Sequence, residues 1–226
     1  MNSERETRVE IKAVLKSTDL YKLELWIFSQ TNLYSLFPAR INNNLYYETD
    51  TYSSACDNID GISKRTKVRY RWYGHDDRSI RAGKLEFKRK LNNEGWKEAY
   101  KITLDQNFET LKHKEIMSRI SSALPLNPKV EFSGYTTPYI LNRYERKYYS
   151  TADDKIRVTV DCGIVSYDQR WSEQINRRIK IKIPDLIVVE FKFDPLFKSE
   201  SIKLIKDFPF RISKHSKYIT AVLHST

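Results

Sequence analysis

The sequence predicts a mainly antiparallel β fold with flanking helices, arranged as a barrel or a sandwich, in one domain spanning residues 1–226. Short segments in which apolar and polar residues alternate recur along the chain, as in strands with one buried face. A few segments with apolar residues at helical spacing lie between them. No Gly/Ser-rich or Pro-rich linker divides the chain, and its 226 residues suit a single all-β domain.

The first half of the chain is predicted to hold five strands and two helices. Residues 8–15 alternate as a strand, and residues 18–31 place Leu20, Leu23, Trp26 and Ile27 at helical spacing. The other strands of this half are expected at 44–49, 66–73, 84–91 and 97–104. A second amphipathic helix is expected at 107–123.

The second half is predicted to add four strands and two helices. The strands are expected at 142–149, 155–162, 177–183 and 186–193. A helix is expected at 200–207, and a short terminal helix from about residue 213. Strands separated by turn signals, with helices between them, favour antiparallel pairing.

Composition narrows the choice of partners and compartment. The 40 Lys and Arg residues exceed the 29 Asp and Glu residues and give a formal net charge of +11, which indicates a polyanionic partner: nucleic acid, an anionic membrane or phosphate chains. Two cysteines and no CxxC spacing favour a reducing, cytoplasmic location. We find no apolar run of the roughly 18–20 residues that a membrane span needs. Any membrane association would therefore require a separate membrane partner.

The strands have one apolar face and one charged face. In 66–73, Lys67, Arg69, Arg71 and Tyr73 share a side, and in 84–90 Glu86 shares its side with three lysines. Carboxylates are few and recur as Glu-x-Lys at Glu10/Lys12, Glu86/Lys88 and Glu190/Lys192. The charged faces could simply be the solvent side of an antiparallel sheet. They are poor in Ser, Asn and Gln, however, so a second interpretation is a cation-lined tunnel.

A cation-lined tunnel requires compensating anions. Buried unpaired Lys and Arg are costly, and a phosphate chain would neutralise them through charge-assisted hydrogen bonds. The carboxylates would then hold Mg²⁺ or Mn²⁺, which prefer oxygen ligands. A basic run at 177–182 is also compatible with nucleic acid, but no RNA-binding signature accompanies it.

Seven segments, in order, resemble the polyphosphate polymerase domain of the vacuolar transporter chaperone (VTC) family, a branch of the CYTH-like triphosphate tunnel metalloenzymes. The resemblance covers residues 8 to about 220. The segments are NLYYETD (44–50), VRYRWYG (68–74), KLEFKRK (84–90) followed by EGW, RYERKYY (143–149), IRVTVDCG (156–163), VEFKF (189–193) and ISKHSKYI (212–219). It implies an eight-stranded closed β-barrel that transfers the γ-phosphate of ATP to polyphosphate with Mn²⁺ or Mg²⁺.

The resemblance also implies site residues. The catalytic set is Arg69, Arg71, Lys88, Arg146 and Arg157. Lys12, Lys101, Lys192, Lys214 and Lys217 are assigned to substrate binding, and Glu190, with Glu10 and Glu86, to the metal. A carboxylate at Glu10 is not required in the polymerases of this family. It resembles the hydrolytic relatives, which favour an E-x-E-x-K start on this strand.

Four functions therefore stay open at this point. The first is an ATP-dependent polyphosphate polymerase, and the second is a tripolyphosphate or nucleoside-triphosphate hydrolase. The third is a polyphosphate-binding module without catalysis. A nucleic-acid binder ranks last, and no nucleic-acid partner is expected. The sequence leaves the oligomeric state undetermined.

Overall fold

The computed structural model of the protein describes residues 9–74, 83–92, 94–104 and 111–225. Its eight strands are β1 (Val9–Lys16), β2 (Leu33–Glu48), β3 (Lys64–Tyr73), β4 (Gly83–Leu91), β5 (Glu94–Ile102), β6 (Thr137–Thr151), β7 (Ile156–Asp168) and β8 (Leu186–Phe193). Its α-helices are α1 (Leu20–Ser29), α2 (Ser53–Ile59), α3 (His113–Ser122), α4 (Leu126–Phe132), α5 (Lys198–Lys206) and α6 (Lys217–Leu223). The predicted mainly antiparallel fold with flanking helices is confirmed.

The eight strands form one sheet in the order β1-β8-β7-β6-β2-β3-β4-β5. All seven neighbouring pairs are antiparallel. In the described residues β1 and β5 do not pair, so the sheet is not closed and the predicted closed barrel is wrong. One physical reason is that the C-terminal segment engages β1: Ile212 bridges Ala13, and the Ser213 N–H donates to the Lys12 carbonyl at 2.8 Å.

The sheet nevertheless curves strongly. Lys88 Nζ of β4 lies 3.8 Å from Glu10 Oε2 of β1, although β4 and β1 are near opposite edges of the sheet. Such a contact requires the charged faces of the two halves to turn toward each other. We call this inner, charged side of the sheet the concave face.

The outer face carries two apolar clusters covered by helices. One packs Tyr70, Trp72 and Phe87 under α3 and α4, and the other packs Val158 and Phe191 under α1 and α5. Each large side chain buried in this way stabilises the fold by about 1.5–3 kcal/mol. Because the helices bury the apolar faces of the strands, the charged faces line the concave side.

The structure corrects several predicted elements. Residues 177–183 do not form a strand; they make one bridge, between Lys180 and Tyr167, while Ile181 and Ile183 each pack against a buried cluster. Their alternation reflects this packing and not a ladder. Helices α2 and α4 were not predicted, the terminal helix begins at Lys217, and residues 107–110 of the predicted second helix lie outside the described residues.

Candidate phosphate-binding site on the concave face

Arg69 and Arg71 of β3 face Glu86 of β4 across the strand pair. Arg69 Nε donates to Glu86 Oε2 at 2.8 Å, and Arg71 Nη1 lies 3.6 Å from Glu86 Oε1. Arg71 Nε also donates to Asn44 Oδ1 at 2.9 Å, and Lys97 Nζ lies 3.2 Å from Glu86. Burial opposes ionisation of Glu86, but the cations around it outweigh burial and hold its pKa well below the ordinary value. Glu86 therefore fixes the two guanidinium groups side by side.

Lys67 and Lys88 extend the same cationic surface. Burial, followed by repulsion from Lys88 and Lys12, lowers the pKa of Lys67 to about 7. Burial also lowers the pKa of Lys88 to about 8, although Glu10 acts in the opposite direction. The Lys88 side chain is still 50% exposed, so it is within reach of solutes on the concave face. Positive charge on this surface exceeds what nearby carboxylates compensate.

A second ionic cluster lies on β6, β7 and β8. Arg146 Nε and Nη2 donate to the two oxygens of Asp161 at 2.5 and 2.6 Å, and Lys217 Nζ contacts Asp161 Oδ2 at 2.5 Å. The Asp161 side chain is fully buried. Glu190 lies 3.4 Å from Arg146 and 2.6 Å from Lys192. In this cluster the positive and negative charges are close to balance.

Glu10, Lys12 and Glu190 join β1 to this cluster. Lys12 Nζ lies 2.8 Å from Glu10 Oε1 and 3.5 Å from Glu190 Oε1. Burial raises the pKa of Glu10, but Lys88, Lys12 and Lys192 together bring it down to about 2. Burial likewise acts against ionisation of Glu190, and its cationic neighbours hold its pKa well below the ordinary value. Both carboxylates are ionised at neutral pH.

This donor set fits a divalent ion that is shared with a substrate. Among the described residues, no group of three or more His, Cys, Asp or Glu side chains could hold a metal ion unaided. Mg²⁺ is commonly held by one or two carboxylates together with substrate phosphates. Glu10 and Glu190, which both contact Lys12, offer two such carboxylates. Both oxygens of each already contact cations, as do both oxygens of Glu86, so a divalent ion would replace some of these contacts.

The C-terminal segment ties the two clusters together. Lys12 Nζ donates to the His215 carbonyl at 3.1 Å, and Lys67 Nζ donates to Ser216 Oγ at 3.0 Å. Ser216 caps α6, and Tyr218 donates its hydroxyl proton to the buried carboxylate of Glu48. Lys217, between these two residues, is thereby held against Asp161.

The structure does not bring every predicted site residue into these clusters. Arg157 is exposed, opposite Lys192 in the sheet and on the same face. Lys101 is exposed on β5 opposite Lys84, and Lys214 is exposed near Lys90. Their roles remain predictions.

The assignment from sequence omitted four residues that the structure places in the clusters: Lys67, Lys97, Asp161 and Asn44. Lys67 shares its strand face with Arg69 and Arg71, and this alternation could have identified it. Asp161 shares a face with Arg157, but nothing in the sequence shows that it contacts Arg146 and Lys217. Asn44, the acceptor for Arg71, gives no distinct signal in the sequence.

In the part of the chain that the structure describes, no helix has the length and apolar character needed to cross a membrane. A search of curated proteins finds no match. Among solved structures, the X-ray structure of a protein described as a "putative adenylate cyclase" from Vibrio parahaemolyticus is similar, with a TM-score of 0.51 and 14% sequence identity. The match covers 96% of this chain and 98% of that chain, and it shows a shared fold.

The family model described as the VTC domain matches residues 7–225. The match includes both ionic clusters and α6. The resemblance found in the seven sequence segments is therefore confirmed over nearly the full length. This chain belongs to the VTC domain family.

Proposed function

We propose that the protein transfers the γ-phosphate of ATP to inorganic polyphosphate on its concave face. The observation that carries the proposal is the excess of cations over carboxylates around Lys67 and Lys88, next to Arg69 and Arg71, whose guanidinium groups share Glu86. A chain of phosphates supplies the missing negative charge along several residues at once. Membership of the VTC domain family supports the same substrate class.

The proposed roles follow from the contacts. Arg69, Arg71 and Arg146 hold the triphosphate, and Lys12, Lys67 and Lys88 neutralise its charge. Glu86 positions Arg69 and Arg71, while Asp161 positions Arg146 and Lys217. The more exposed cations would contact the chain farther along; they are Lys101, Arg157, Lys192 and Lys214.

The transfer itself needs little covalent participation by the protein. A terminal oxygen of the polyphosphate attacks the γ-phosphorus of ATP, and the bond from that phosphorus to the β,γ-bridging oxygen breaks with its electrons leaving on ADP. Positioning and charge neutralisation by Arg and Lys accelerate such a step. Mn²⁺ or Mg²⁺, held by Glu190 and Glu10 together with phosphate oxygens, would add charge neutralisation at the same place.

A hydrolase is the second candidate, and Glu10 favours it. This carboxylate lies on the concave face beside Lys12 and Lys88. In a hydrolase, water takes the place of the polyphosphate acceptor and free phosphate is the product. The neighbour described as a "putative adenylate cyclase" is consistent with a triphosphate ligand in either case.

We also propose a cytoplasmic location. The free thiols of Cys56 and Cys162 are consistent with it.

The test is to incubate the protein with ATP and Mn²⁺, with and without a polyphosphate primer, and to resolve the products on a gel stained for polyphosphate. A ladder of long chains is expected; free phosphate without a ladder would indicate the hydrolase. Arg71→Glu should abolish either activity, and Lys203→Glu, on the outer helix α5, should not. Melting curves of both variants separate loss of activity from loss of fold. A fully active Arg71→Glu variant would contradict the proposal.

A further inference from the structure

A bulge in β2 brings two side chains onto one face that a regular strand would separate. Phe37 lies opposite Tyr148 and Arg40 lies opposite Arg146, with a register shift between the two pairs. Tyr148 and Arg146 are two residues apart and share a face of β6, so their partners share it as well. Pro38 cannot donate to the ladder, and together with Ala39 it occupies the irregular stretch. Phe37 and Arg40, three residues apart, therefore both lie on the concave face.

The three side chains form a compact aromatic and cationic cluster. The rings of Phe37 and Tyr148 are 6.0 Å apart and nearly perpendicular, at 83°. The Arg40 guanidinium carbon lies 5.1 Å from the Phe37 ring centre and 5.9 Å from that of Tyr148. Asn42 Nδ2 donates to the Tyr148 hydroxyl at 3.4 Å, which fixes that ring.

The cluster is open to solvent. Phe37 is 46% exposed, and Arg40 is exposed with no ion-pair partner within the described residues. Flat rings beside a guanidinium plane are the groups that stack on nucleobases in proteins. A partly exposed ring and an unpaired cation on an otherwise charged face provide the surfaces that a planar ligand would cover.

The cluster also continues directly from the phosphate-binding residues. Arg40 pairs in register with Arg146, and Tyr148 is one pleat repeat, roughly 7 Å, farther along β6 on the same face. A nucleotide whose phosphates contact Arg146 would thus have its base near Phe37 and Tyr148. An inorganic phosphate chain has no planar group that could stack on these rings.

We propose that Phe37, Arg40 and Tyr148 form a nucleobase subsite, so that the concave face takes a nucleoside triphosphate at this end in preference to inorganic tripolyphosphate. This inference rests on the proposed function, because it places the base relative to the phosphate site. It assigns a role to the β2 bulge, which presents Phe37 and Arg40 together.

The test compares two ligands on the same protein by titration calorimetry: a non-hydrolysable ATP analogue and tripolyphosphate. Phe37→Ala should weaken binding of the analogue by about five- to tenfold, because it removes one stacking surface, and should change tripolyphosphate binding by less than about twofold. Phe37→Trp should keep the affinity for the analogue. Phe28→Ala, which removes an 83% exposed ring from α1, is the matched control and should change neither.

The outcomes separate the two claims. If Phe37→Ala changes both ligands equally or changes neither, the nucleobase subsite is wrong and the phosphate site stands. If the unmodified protein binds neither ligand, the proposed function fails, and the subsite falls with it. Because Phe37 is half exposed, the variant should fold, and a melting curve checks this.

Discussion

The concave face has two ionic walls that handle charge differently. The β3–β4 wall consists of Lys67, Arg69, Arg71, Glu86 and Lys88, and Lys97 of β5 also contacts Glu86. Its cations outnumber the nearby carboxylates, which are Glu86 and, at 3.8 Å from Lys88, Glu10 of β1. The β6–β8 wall consists of Arg146, Asp161, Glu190 and Lys192, with Lys217 of α6 held against Asp161, so that three cations face two carboxylates. The first wall therefore has the larger excess of positive charge, and the second is held by internal ion pairs.

The difference in charge balance suggests different roles for the two walls, anion binding for the first and rigid positioning for the second. Excess positive charge disfavours the charged forms of Lys67 and Lys88 in the free protein, so we expect this wall to gain the most from a multivalent anion. A wall of buried ion pairs is rigid and can hold Arg146 and Glu190 in fixed positions. If this comparison is right, substitutions in the two walls should have opposite effects on stability.

The largest expected effect is in the β6–β8 wall. Asp161→Asn removes the carboxylate between Arg146 and Lys217, leaving two largely buried cations uncompensated. We expect a loss of about 3–5 kcal/mol in the free energy of unfolding, measured by denaturant titration at pH 7. Glu24→Gln, which breaks a pair whose side chains are 35% and 38% exposed, should cost no more than about 1 kcal/mol. Equal losses in the two variants would contradict the assignment of Asp161 as a buried support.

The opposite sign is expected in the β3–β4 wall. Lys67→Met removes a charge that burial and neighbouring cations disfavour, so the free protein should become more stable at pH 6.5 by about 1–2 kcal/mol after allowance for water on the concave face. Binding of tripolyphosphate should weaken at the same time, which calorimetry would show. Lys64→Met, at the exposed start of the same strand, is the control and should change neither property. A destabilised Lys67→Met protein would mean that the hydrogen bond of Lys67 to Ser216 contributes more to stability than its charge costs, and would contradict the expected sign.

The stability and the anion affinity of the β3–β4 wall should both depend on pH. The pKa values of Lys67 and Lys88 are about 7 and 8 in the folded protein, against 10.5 for an unperturbed lysine. Between pH 7 and 10 the unfolded chain binds more protons than the folded one, so these groups make stability rise with pH across that window. A bound polyanion raises both pKa values, so binding should take up protons and weaken as the pH rises.

Calorimetry at pH 8 in two buffers of different ionisation enthalpy measures this proton uptake. A free polyphosphate also loses protons when it binds cations, so proton uptake is compared between the unmodified protein and Lys67→Met with the same ligand. Lys67→Met should take up fewer protons than the unmodified protein. Equal proton uptake by the two proteins would overturn the assignment of Lys67 to the site.

Most of the fold could be predicted because it depends on local alternation. The two faces of β3, with Tyr70 and Trp72 on one side and Arg69 and Arg71 on the other, are evident from period two alone. Closure of the sheet could not be predicted in this way. Whether β1 pairs with β5 depends on which segment reaches its edge, and the contact of Ile212 with Ala13 joins residues about 200 positions apart in the chain. The same limit applies to 177–183, where alternation reflects packing of Ile181 and Ile183.

The residues of the candidate site could largely be predicted from the sequence, but the contacts between their side chains could not. The charged strand faces and the seven motif segments indicated Arg69, Arg71, Arg146 and Glu190. They could not show that Glu86 is surrounded by arginines or that Asp161 lies between Arg146 and Lys217, because these contacts depend on the register of neighbouring strands and on α6. The metal assignments of Glu86, Glu10 and Glu190 therefore all stay predictions, and the contacts of Glu86 with Arg69 and Arg71 give it a positioning role as well.

The smallest expected effect is at the contact that joins the two walls. Glu10 pairs with Lys12 and reaches Lys88 at 3.8 Å, and its side chain is 28% exposed, so Glu10→Gln should change the free energy of unfolding by less than about 1 kcal/mol. Without metal, at pH 6.5, tripolyphosphate should bind about two- to threefold more tightly, because two lysines lose a competing carboxylate. With Mn²⁺ the sign should reverse if Glu10 helps to hold the ion. Calorimetry in EDTA and in Mn²⁺, with Glu24→Gln as the control, distinguishes the two roles. If Glu10→Gln tightens binding of tripolyphosphate in both buffers, Glu10 does not hold the ion, and Glu190 stays the main candidate ligand for the metal.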